Sequence, residues 1–186
     1  MKRRKFILTT AALAAYGSDL MAAPNNETDE KDGFLVKSGE ARHGIHTPFM
    51  GVNPNDLKIS TKDTAGQLSV FEYTGVEKTG PPLHVHLEQD EVFYVVEGDF
   101  LFQLGDKRYS LSGGDTIFLP RNIPHTWLQI SDRGKLLYIL QPAIRMEEFF
   151  YAMNDLGRPP SEEEAQKISL AHGIKNVGPP ITLVTM

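Results

Sequence analysis

Cysteine is absent from the 186-residue chain. That excludes disulfides even in an oxidising compartment, and with them thiolate nucleophiles and thiolate metal ligands. Any metal must therefore be held by imidazole, carboxylate or water. No uninterrupted apolar run is long enough to span a bilayer. A basic nucleic-acid footprint is missing too, since the formal net charge is −5. From residue 47 to 142 there are no helical stretches interleaved between strands, which argues against a parallel sheet. Turn formers, in contrast, are plentiful, with 16 glycines and 12 prolines. With 40% hydrophobic and 23% charged residues, the chain suits one domain with a sizeable core.

The N-terminus, MKRRKFILTTAALAAYGSDLMAAP, has a basic start, a short apolar middle and small residues near Ala22 and Ala23. This is the layout of a secretory signal, expected over residues 1–23, and it predicts an exported, periplasmic protein. Arg3-Arg4-Lys5-Phe6-Ile7 resembles the twin-arginine type, whose substrates cross the membrane already folded. Removal of the signal takes away four basic residues and one acid, leaving an acidic protein with no attraction to anionic membranes. Residues 24–46 form a polar linker and a pre-barrel segment.

Short β-rich runs then recur: LKIS, QLSVFEY, EVFYVV, FLFQL, TIFL, TWLQI and LLYIL. Turn sequences such as Thr79-Gly80-Pro81-Pro82 and Ser112-Gly113-Gly114-Asp115 separate them. The expectation is an all-β sandwich or closed barrel over residues 47–142. Beyond Pro142 the period changes. Met146, Phe149, Phe150, Met153 and Leu156 follow helical spacing, predicting an amphipathic helix over 145–156. Ser161 stands three residues before Glu164, a capping-box start for a second helix to about His172, with Gly173 as its cap. Core or dimer packing accounts for the apolar stripe of this C-terminal extension, residues 143–186.

The chemistry concentrates in HVHLEQDEVFYVVEG, residues 84–98. In a strand, residues two apart share a face. His84 and His86 would thus project side by side while Val85 packs the other way. Glu91 opens the next strand, and a hairpin between the two could bring its carboxylate beside both rings. Two neutral nitrogens and one anionic oxygen suit a divalent transition metal and leave coordination positions open. A second segment, GDTIFLPRNIPHTWLQ, bends at Pro120 and Pro124 before His125, with Trp127 and Gln129 on that histidine's face.

Taken together, these segments resemble the two motifs of the cupin superfamily. The first is matched by His84, His86, Glu91 and Gly98, the second by Gly114, Pro120 and His125. The resemblance covers about residues 60–142. It implies a double-stranded β-helix, the cupin jelly-roll barrel, with a 3-His-1-Glu site for one divalent transition metal ion (Mn, Fe, Ni, Cu, Co or Zn). It also implies a homodimer through barrel edges. The C-terminal segment looks like the tail of single-domain bacterial cupins often labelled quercetin-dioxygenase-like. Some positions depart from the pattern: the entry loop after Gly80 is short, Asn122 stands where glycine is common, and Gln129 replaces the usual asparagine. None removes a metal-binding group.

The function this implies is a quercetinase-like dioxygenase for a small enolic or phenolic substrate, with Glu91 as ligand and catalytic base. Phe93, Tyr94, Phe100, Phe102, Phe118 and Trp127 are candidates to wall the substrate pocket; alternation turns about half of them inward, and Phe93 and Trp127 are the two expected there. Alternatives are a non-catalytic cupin that binds a small ligand at its metal, and a metal-assisted isomerase or decarboxylase of a sugar or organic acid. Glu88 and Asp90 read as solvated loop charges or as alternative carboxylates. Arg121 reads as an anion contact or a surface ion pair. His43 and His46 read as solvated or strand-edge residues, and His172 as a partner of a helix C-terminus.

Overall fold

A computed structural model describes residues 33–182. The expected signal, residues 1–23, and the first part of the linker lie outside the described residues. Nine strands come first: β1 (Asn55–Ile59), β2 (Ser69–Gly75), β3 (Leu83–His86), β4 (Asp90–Glu97), β5 (Asp99–Leu104), β6 (Lys107–Ser112), β7 (Thr116–Leu119), β8 (His125–Gln129) and β9 (Gly134–Gln141). Two helices, α1 (Met146–Asp155) and α2 (Glu162–Ala171), and a last strand, β10 (Ile174–Gly178), follow.

The strands form two five-stranded antiparallel sheets, ordered β1-β2-β9-β4-β7 and β10-β3-β8-β5-β6. From β3 to β9 the chain crosses from one sheet to the other at every link except the β5–β6 hairpin, as expected for a jelly roll. The period of two in the sequence is the period of burial. Along β9, Leu136, Tyr138 and Leu140 are buried and their neighbours are not; along β4, Glu91, Phe93 and Val95 behave likewise. One face of each sheet is thus apolar, and the two faces close on a single core that includes Phe71, Phe93, Phe100, Phe102 and Leu136. Aromatic rings dominate it. Tyr138 stacks between Phe71 and Phe93, with centroids 5.3 and 5.0 Å away and interplanar angles of 12° and 17°.

Two strands were not anticipated. Four consecutive residues of β6, Lys107 to Ser110, are exposed, so it lacks the apolar alternation that marks a strand, and it forms an edge held by pairing with β5. The other is β10, which lies where only a tail was expected and pairs antiparallel with β3, placing Ile174 opposite His86 and Asn176 opposite His84. The C-terminal extension is thus part of the sheet that carries the histidines.

Both helices form within one residue of the sequence expectation. For α2 the cause is visible. The Ser161 hydroxyl accepts from the Glu164 amide, and the Glu164 carboxylate accepts from the Ser161 amide. His172 ends the helix with Nδ1 2.8 Å from the Ile168 carbonyl, a use of that histidine that needs no chemistry. Helix α1 is fastened at its first turn, where Glu147 accepts from the Ser60 hydroxyl at 2.9 Å and from the amide and hydroxyl of Thr61.

Candidate metal centre

His84, His86, Glu91 and His125 come together: one ligand atom from each lies within 4.8 Å of the others. The route differs from the expected hairpin. β3 and β4 do not pair; they belong to opposite sheets. The three-residue link between them crosses the sandwich instead of turning back as a hairpin. Glu91 therefore approaches from the facing sheet. His84 and His125 are direct neighbours, paired in register between β3 and β8.

The rings are aimed by oxygens behind them. His84 Nδ1 lies 2.8 Å from the Pro82 carbonyl, His125 Nδ1 2.9 Å from the Ile123 carbonyl, and His86 Nδ1 3.2 Å from the Gln89 amide oxygen. An oxygen of this kind only accepts, so each Nδ1 carries the hydrogen. In the neutral ring Nε2 then presents a lone pair to the shared centre. The Nε2 atoms of His86 and His125 are buried without a hydrogen-bond partner. They nevertheless lie 3.5 Å from Glu91 Oε1 and 3.0 Å from Glu91 Oε2. Nitrogen lone pairs and carboxylate oxygens thus face one another at short range. A cation satisfies that arrangement and an apolar group does not.

Charge points the same way. Burial, helped by nearby His125 and His86, drives His84 down to about 3. Burial lowers His86 too, against the pull of Glu91. For Glu91 burial acts upward, but the imidazoles of His86 and His125 outweigh it and hold the carboxyl at about 2. At neutral pH an ionised carboxylate thus sits among nitrogen donors. This donor set is compatible with a single divalent ion.

The family model described as Cupin domain matches residues 72–140, a stretch that contains all four of these side chains. These residues form a domain of the cupin superfamily. This cupin is 27% identical over 108 residues to the quercetin 2,3-dioxygenase of Bacillus subtilis (strain 168), covering 58% of the present chain and 31% of the relative. A shorter match of 43 residues, 37% identical, links it to an uncharacterized protein of Methanocaldococcus jannaschii, covering 23% of the chain and 34% of the relative. The chain thus spans about a third of the length of the curated relatives it matches. Among solved structures it is similar to KdgF from Halomonas sp., with 17% identity, TM-score 0.48, and 57% and 94% of the two chains covered. It is also similar to an RmlC-like cupin from Shewanella frigidimarina NCIMB 400, with 21% identity, TM-score 0.46, and 53% and 84% covered.

In this cupin the cluster opens on a cavity of about 850 Å³. Phe93 and Trp127 are among the residues that line it. Phe100 and Phe102 are buried in the core away from its wall, while Tyr94 and Phe118 turn outward, 44% and 55% exposed. Arg121 is spent on Asp90, pairing through both guanidinium and backbone nitrogens at 2.8–3.0 Å. That removes Asp90 from consideration as a ligand, and Glu88 is exposed. His43 is exposed, and His46 pairs with Asp56 at 2.8 Å.

Sequence reasoning missed much of the wall. Phe49 stacks on Trp127 at 5.4 Å, and Tyr138 and Asn55 face the same space. Met146, Phe149 and Phe150 close it from α1. Their stripe is core packing, as expected, and at the same time cavity lining. Helical spacing signalled the stripe but not what would lie beneath it.

Proposed function

We propose that this cupin is a metal-dependent dioxygenase acting on a small enolic or phenolic substrate. The observation that carries the reading is the set of imidazoles whose Nδ1 atoms are all tied back, so that Nε2 atoms and the Glu91 carboxylate converge on one point at an aromatic cavity. The ligands are His84, His86, Glu91 and His125. Bound there, a divalent transition ion (Mn, Fe, Ni, Cu, Co or Zn) supplies Lewis acidity and open coordination positions.

The chain's own residues do the rest. Glu91, ionised at neutral pH, takes the proton of the enol or phenol. Phe93, Trp127 and Phe49 offer flat apolar faces to a planar ring. Helix α1, with Met146, Phe149 and Phe150, covers the cavity and limits water. The similarity to a quercetin 2,3-dioxygenase supports a flavonol-like substrate.

The test is elemental analysis of protein purified from its own compartment, followed by an oxygen-electrode screen with quercetin and other enolic compounds. One metal per chain and substrate-dependent oxygen uptake, both lost in His86→Ala, are the expected results. Metal without uptake favours a ligand-binding cupin, and proton exchange on the substrate without uptake favours an isomerase. Absence of metal removes the reading altogether. The same proposal places the mature protein in the periplasm by way of the paired arginines at residues 3 and 4. R3K/R4K should then abolish export, and unchanged secretion would count against that route.

A further inference from the structure

We infer that Gln89 is the positioning residue that sets the tautomer of His86 and so keeps its Nε2 available as a ligand. The inference rests on reading the cluster as a metal centre, and it starts from an asymmetry among the three histidines. His84 and His125 each lean on a backbone carbonyl two residues earlier, the oxygens of Pro82 and Ile123. No side-chain substitution removes those acceptors. His86 leans on a side chain instead, with Nδ1 3.2 Å from Gln89 Oε1.

A free carboxamide could turn either end to the ring and stabilise either tautomer. This one cannot turn. Gln89 is 3% exposed, and its Nε2 is committed to two carbonyls, that of Pro142 at 3.1 Å and that of Ala143. Both carbonyls only accept, so the nitrogen end must face them and the oxygen end must face His86. The Nδ1 hydrogen follows, and with it the Nε2 lone pair. The alternative tautomer has an outlet that makes the constraint necessary. Glu91 Oε1 lies 3.5 Å from His86 Nε2. Without Gln89, a hydrogen on Nε2 would be attracted to that carboxylate and would block the coordination position. The anchor carbonyls also lead directly into α1, so one amide links the aim of His86 to the root of the helix over the cavity.

The experiment uses the full-length protein with Gln89→Leu and Gln89→Glu variants. Long-range 1H–15N spectra of the metal-free proteins report each histidine's tautomer, and competition with a chelator for Zn or Mn reports affinity. In the wild type His86 should show the Nδ1–H form. Gln89→Leu should shift it toward Nε2–H, leave His84 and His125 unchanged, and weaken metal binding by roughly ten- to a hundredfold. Gln89→Glu keeps an acceptor behind Nδ1 and should hold both the tautomer and the greater part of the affinity. An unchanged tautomer or affinity in Gln89→Leu, with wild type binding metal normally, overturns the inference and leaves the metal reading standing. A Gln89→Glu variant as weak as Gln89→Leu would assign the effect to the lost anchor and overturn it equally. A wild type that binds no metal ends both. Should Gln89→Leu fail to fold, the Gln89→Glu spectrum still decides, since loss of the Nδ1–H form there contradicts the role.

Discussion

Gln129→Leu tests the logic of the barrel interior most directly. Gln129 is fully buried. Its Oε1 accepts from the Tyr73 hydroxyl at 3.0 Å, and its Nε2 donates to the Ser131 carbonyl at 3.0 Å. Space for so long an amide comes from two glycines paired across β2 and β9, Gly75 and Gly134. A Cβ on Gly75 would stand 1.5 Å from Gln129 Oε1, and one on Gly134 3.0 Å from its Cδ. Leucine fills nearly the same volume, so the change removes hydrogen bonds with little change in packing. It orphans a hydroxyl and a carbonyl at about 1–3 kcal/mol each, about 2–6 kcal/mol together. For a chain of this size the fall in Tm is then at least about 4 °C. Urea unfolding with an unchanged m-value measures the loss. In Tyr73→Phe/Gln129→Leu the hydroxyl is gone, so the double mutant should recover about 1–2 kcal/mol relative to additivity. Metal content should not move, because His125 lies about 13 Å away along β8. Single and double variants within about 0.5 kcal/mol of additivity, or a Gln129→Leu protein as stable as wild type, would refute the reasoning.

Gly80→Ala should destabilise by about 1–3 kcal/mol or more, because the new Cβ would lie 1.7 Å from the Trp127 carbonyl oxygen, backbone that cannot step aside; thermal melting checks it. Glu147→Ala removes the acceptor that holds α1 to Ser60 and Thr61, at about 1.5–3 kcal/mol for bonds to a charged group. Amide exchange in α1 should accelerate ahead of exchange in the sheets, and uniform acceleration would contradict this. The metal-free protein should lose stability in acid. His84 falls from 6.5 to about 3 and Glu91 from 4.5 to about 2, so in these windows the unfolded chain binds more protons than the folded one. Their stabilisation is complete above about pH 6.5 and is lost as pH falls, through about 3 for His84 and about 2 for Glu91. A urea midpoint that stays flat between pH 6.5 and 4 would refute it.

Much of the site was legible because its residues announce themselves locally. Histidines two apart in a strand share a face whatever the strand pairs with, so His84 and His86 had to be neighbours. Asn122 could be expected to tolerate a left-handed backbone, and its φ is 65°. Gln89 gave no such sign. Its partners, Pro142 and Ala143, lie more than fifty residues away. Strand β6 carries almost no apolar alternation, and β10 follows a helix, so neither could be found by periodicity. The expected hairpin failed for a related reason. Alternation tells which face a side chain takes, but not which sheet its strand will join.

The sequence by itself determined the all-β class, the two helices with the α2 capping box, and four candidate ligands of oxygen and nitrogen type in a chain without thiols. These depend on local periodicity and residue chemistry. Only the tertiary structure decided that Glu91 meets the histidines from across the sandwich, that β10 flanks β3, and that α1 roofs the cavity. It decided the histidine tautomers as well. A hydrogen's place on an imidazole depends on the acceptor behind the ring, and for His86 that acceptor is oriented only once the chain has closed on itself.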